Sequence, residues 1–83
     1  MFQTEKNRIY LEDGEGRTVA EITFPETAPG VFTIDHTFVD DSLRGQGIAS
    51  QLVQVAVDEI GRRGGEVQAT CSYAVKWLEE RDK

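Results

Sequence analysis

The segment Arg44-Gly-Gln-Gly-Ile-Ala49 stands directly before a run of helix-forming residues. A helix that starts there leaves its first N–H groups without intrahelical partners and puts the positive end of its dipole at the loop. Amides so placed bind anions, phosphates above all. Gly45 and Gly47 remove side chains that would hold a phosphate off the main chain, Arg44 adds a charge, and Ser50 adds a hydroxyl. The residue order is neither the Gly-Lys-Ser/Thr phosphate loop nor the Gly-x-Gly-x-x-Gly dinucleotide fingerprint. On spacing alone, a phosphate cradle and a plain tight turn are equally good readings.

Two further side chains bear on chemistry. His36 is the only histidine and Cys71 the only cysteine. Imidazole titrates near neutrality, so His36 could act as a general base or acid. The competing reading of His36 is a core histidine, since alternation places it on one face with Phe32, Ile34 and Phe38. Cys71 could be a nucleophile or a proton donor, or could fill space as a small buried hydrophobe. Tyr73, at the start of the last predicted helix, is expected as a half-buried aromatic anchor. Trp77 is expected to cover the core.

The elements that must position these residues follow from hydrophobic period. Residues 7–12 and 17–24 alternate and predict two strands joined by a turn at 13–16. Residues 25–30 hold two prolines and predict a second turn region. Residues 31–39 predict the clearest strand, and residues 48–62 carry a wide apolar arc at helical spacing. Gly64 and Gly65 end that helix; a short strand at 66–71 and a terminal helix at 73–82 complete the order. The unit from 31 to 71 should be a right-handed crossover, so its two strands are parallel. The expected fold is α+β: an antiparallel three-strand meander plus a parallel fourth strand in one mixed sheet, with one helix packed on it and a second near its end.

The 83 residues make one small domain with a thin core, so a ligand site is expected to be an open groove, or a pocket completed by a partner or by a second copy, as in a homodimer. The net charge of −6 argues against nucleic acid and gives weak support to a cationic partner, the plainer reading being an acidic surface that keeps the protein in solution. A single cysteine excludes an internal disulfide and the usual zinc spacings, so no metal is expected. No apolar run approaches the ~20 residues of a membrane span, and the first residues lack a signal-peptide core, so a cytoplasmic protein without membrane attachment is expected.

The segment HTFVDDSLRGQGIASQLVQVAVD resembles the acyl-CoA-binding motif of the GNAT superfamily of N-acetyltransferases, Arg/Gln-x-x-Gly-x-Gly/Ala. Arg44, Gly47 and Ala49 hold its fixed positions, Val39 matches the apolar end of the preceding strand, and Asp41 stands where a proline is common. The likeness covers residues 31–71. The short length, the His-Thr pair in the strand and the cysteine after the next strand are similar to the small single-domain members. The resemblance implies acetyl-CoA as co-substrate, with its pyrophosphate on the amides of Arg44, Gly45, Gln46, Gly47, Ile48, Ala49 and Ser50. It implies a pantetheine arm paired with main chain near Phe38 and Val39, where the parallel strands part, and a main-chain N–H there for the oxyanion. Acetyl would pass to an amine acceptor, with His36, Cys71 and Tyr73 as candidate catalytic residues, either directly or through an acetyl-cysteine. The family often places an asparagine, an alanine and a tyrosine at the positions here held by Cys71, Ala74 and Leu78. The usual acid is thus absent, and a non-catalytic CoA-binding or partner-interaction module is the alternative reading.

Overall fold

The computed structural model describes residues 2–81. Its strands are β1 (Gln3–Thr4), β2 (Arg8–Glu12), β3 (Thr18–Thr23), β4 (Glu26–Ala28), β5 (Val31–Ile34), β6 (His36–Val39) and β7 (Glu66–Ala69). Helix α1 is Ile48–Arg62 and helix α2 is Ser72–Arg81. Residue 82, the expected end of the last helix, lies outside the described residues.

One expectation is corrected. The strand foreseen over 31–39 is broken at Asp35, and its halves belong to two sheets rather than one, ordered β1-β2-β3-β6 and β4-β5-β7. Asp35 N–H donates to Thr23 O at 3.3 Å, and its carboxylate takes the Thr23 hydroxyl. These bonds tie the break to β3. Aspartate is disfavoured inside a strand, and here it serves as the joint. The turn region 25–30 also gains a short strand. Pro25 and Pro29 flank β4 instead of interrupting it, so its ladder with β5 survives.

The pairing otherwise follows the expected pattern. β2 pairs antiparallel with β3, and β3 with β6. β5 and β7 are parallel from Val31↔Glu66 to Ile34↔Ala69, joined through α1. Ile9, Ala20, Ile22, Phe24, Phe32 and Ile34 from the strands meet Leu52, Val53, Ala56 and Ile60 of α1 and Ala74 of α2. Fully burying one such large side chain contributes about 1.5–3 kcal/mol, so α1 is held by packing more than by intrinsic helix preference. Gly65 closes the turn after α1, where an added Cβ would lie 2.8 Å from the Phe32 ring. The face of β2, β3 and β6 turned away from α1 carries Arg8, Tyr10, Glu21, His36 and Phe38.

Candidate functional site

α1 starts from Gly47, whose left-handed backbone (φ 72°, ψ 18°) caps the helix without any side-chain hydrogen bond. Gly45 is left-handed as well, at φ 83°. A Cβ at either position would meet no protein atom, so the backbone conformation is what asks for glycine. From Gly45 through Ser50, no N–H donates to another described residue. Alternating backbone hands with consecutive free N–H groups form an anion nest, and the dipole of a 15-residue helix reinforces it. Arg44 is exposed beside it, its Nε 2.8 Å from Asp41. Gln46 is exposed, while Ile48 and Ala49 are half-buried and Ile48 packs against the core.

A groove of about 540 Å³ lies between this first turn and α2, lined by Ser50, Tyr73, Lys76, Trp77, Glu80 and Arg81. Trp77 Nε1 donates to Ser50 Oγ at 2.9 Å across its floor. A smaller hollow of about 330 Å³ shares Ser50 and is bounded by Phe2, Gln51, Gln54 and Val55.

The parallel strands part at the break. Thr70 and Cys71 both donate their N–H to Ile34 O, at 3.0 and 3.2 Å, and these are the last links. Beyond them the chain of β6 turns to β3. Asp40 N–H donates to Val19 O at 2.8 Å, which fixes the alternation of that ladder. Phe38 therefore spends its main-chain groups on β3, and those of Thr37 and Val39 face the opening. Of the two expected main-chain partners, Val39 is the one presented.

Cys71 sits at the mouth of that opening, immediately before α2, with Sγ 3.6 Å from Thr37 Oγ1. Burial pushes the thiol up, but the N–H groups of Ala74, Tyr73 and Thr37 and the Thr37 hydroxyl stabilise the thiolate and bring it below its ordinary value. Thr37 N–H reaches the sulfur from the open side of β6, as the ladder alternation requires.

His36 is not a core histidine. The break at Asp35 inverts the alternation, so Phe32 and Ile34 point inward in β5 while His36 and Phe38 point outward in β6. The His36 side chain is 56% exposed, and its Nε2 lies 3.8 Å from Glu21 Oε1, the carboxylate also being paired with Arg8. His36 and Cys71 thus stand on opposite faces of β6. Tyr73, 42% exposed, joins Ser50 and Trp77 in the groove. Sequence reasoning missed Thr37, Glu21 and the polar side of Trp77. Thr37 had one visible signal, Asp35, a strand breaker inside an apolar run; Glu21 and the Trp77 N–H had none.

Residues 8–83 match the family described as GCN5-related N-acetyl-transferase. No curated protein matches the chain. Among solved structures, a GCN5-like candidate N-acetyltransferase from Staphylococcus aureus is 33% identical over 99% of this chain and 80% of its own, with a TM-score of 0.81. A GNAT-family N-acetyltransferase from Escherichia coli, solved in complex with CoA, is 25% identical over 70% of this chain, with a TM-score of 0.62. A Pyrococcus furiosus protein shares the fold over 98% of this chain at 24% identity and a TM-score of 0.68. The chain spans 35% of the Escherichia coli protein and 60% of the Pyrococcus one.

Proposed function

Because the chain belongs to the GCN5-related N-acetyltransferase family, we propose that it binds acetyl-CoA at the Arg44–Ser50 loop and transfers the acetyl group to an amine. The observation that carries this reading is the run of N–H groups from Gly45 to Ser50 that no described residue accepts. The pyrophosphate of the co-substrate would rest on them. The pantetheine arm would enter where β5 and β7 part and pair with Val39.

The chemistry then has a place for each proton. The neutral amine attacks the thioester carbon from the His36 face of β6, and its proton passes to the imidazole. The oxyanion takes a hydrogen bond from main-chain N–H on the open edge, a kind of donor worth about 10²–10³ in rate. When the C–S bond breaks, the CoA thiolate takes a proton from Cys71, whose thiol is held below the ordinary range and so gives it up readily. The products are the N-acetyl amide and CoA. Direct transfer uses both faces of β6, which an acetyl-cysteine route does not require. Tyr73, exposed in the groove, fits contact with the co-substrate better than proton transfer at β6.

Isothermal titration with acetyl-CoA tests the reading; saturable binding is expected, and no heat at millimolar concentration overturns it. A non-catalytic CoA-binding module is favoured by one observation, the half-buried Leu78 at the position of the family's usual tyrosine. Acetylation of any member of an amine panel, lost on His36→Ala, decides for the enzyme.

A further inference from the structure

Ser50 Oγ is where the wall formed by α2 meets the first turn of α1. Trp77 Nε1 donates to it at 2.9 Å. An indole N–H can only donate, so Ser50 Oγ is the acceptor in this pair and its own proton must go elsewhere. Serines in helices often return that proton to the carbonyl four residues earlier, which here is Gln46. No such bond is present, and no other described residue takes the proton. Ser50 also lines both hollows, so the space beside its oxygen is the groove itself. Lys76 and Arg81 border the same groove in a chain of net charge −6, a local excess of cations over Glu80 that suits an anion.

We infer that Trp77 is a positioning residue for a ligand phosphate: its N–H fixes Ser50 as a hydroxyl donor, which joins the Gly45–Ser50 amides on the diphosphate of CoA. The inference rests on the CoA-binding reading. Trp77 acts through Ser50 and touches the ligand phosphate nowhere itself. A hydroxyl bonded to a charged oxygen is stronger than a neutral pair, so its loss is expected to weaken binding about tenfold.

The test is isothermal titration of CoA into the wild type, Trp77→Phe, Ser50→Ala and the double variant, with melting curves to verify folding. Trp77→Phe keeps an aromatic ring and removes only the donor. Each single variant should bind about tenfold more weakly, and the double variant no more weakly than Ser50→Ala alone, because both changes remove one contact. Multiplying losses, or wild-type affinity in Trp77→Phe, overturn the inference. If Trp77→Phe does not fold, the indole N–H resonance of Trp77 serves instead. It should shift on Ser50→Ala and on CoA addition to the wild type, and an unmoved resonance overturns the inference. A wild type that binds no CoA removes the parent reading and this one with it, whereas binding without coupling removes this one alone.

Discussion

Cys71 Sγ and Thr37 Oγ1 lie 3.6 Å apart although 34 residues separate them in the chain. The contact spans the gap where β5 and β7 part. It sets a thiol against the open main-chain edge of β6, the same edge on which Val39 is presented.

Removing the thiol should expose its role. Cys71→Ala is expected to lower kcat by about 10²-fold, the usual scale of a lost proton donor, with CoA affinity unchanged. Steady-state kinetics and titration on one preparation check both halves.

The depressed thiol also has a pH signature in stability. The fold favours the thiolate, so the pH-dependent part of the wild type's advantage over Cys71→Ala is absent at low pH. It grows as pH rises through the folded thiol's pKa and is complete above the unfolded value; it is lost again as pH falls through the folded pKa. Urea melts of both proteins between pH 6 and 10 measure it. A difference that shrinks as pH rises would contradict the assignment.

His36 makes the opposite demand on a variant. Its side chain is 56% exposed and carries little of the core, so His36→Ala should change stability by less than about 0.5 kcal/mol. Its kcat/KM for an amine acceptor should nevertheless fall about 10²-fold if the imidazole takes the amine proton.

Two glycines separate binding from folding. Gly47→Ala forces a side chain into a left-handed backbone at a cost of about 1–2 kcal/mol, and places a methyl where the ligand's phosphate would rest. Weakened CoA binding in a folded protein is expected. Gly65→Ala adds a Cβ 2.8 Å from the Phe32 ring, an overpacking that costs about 1–3 kcal/mol. It should lower the melting temperature and leave CoA affinity intact.

Much of this was legible before any coordinates. The helix at 48–62 was foreseen to the residue, because a wide apolar arc at 3.6 spacing with glycines at both ends admits few alternatives. The parallel crossover followed from handedness. The orientation of His36 and Phe38 did not, because period-2 alternation carries no marker for a lost beat. A single irregular residue at Asp35 inverts every side chain after it, and only the pairing of β6 with β3 reveals the inversion. Trp77 was placed correctly near the core, yet the direction of its N–H depends on how α2 leans on α1, which no local pattern encodes.

The open side of β6 has a cost as well as a use. It is a strand edge with unspent donors and acceptors, and such edges recruit whatever extended chain they meet, including other copies of the protein. Pantetheine is itself a short chain bearing two amides. A ligand lying there would act as the missing neighbour and close the seam. Occupancy would then protect the protein from self-association, so the ligand-free form should be the one that aggregates first on warming.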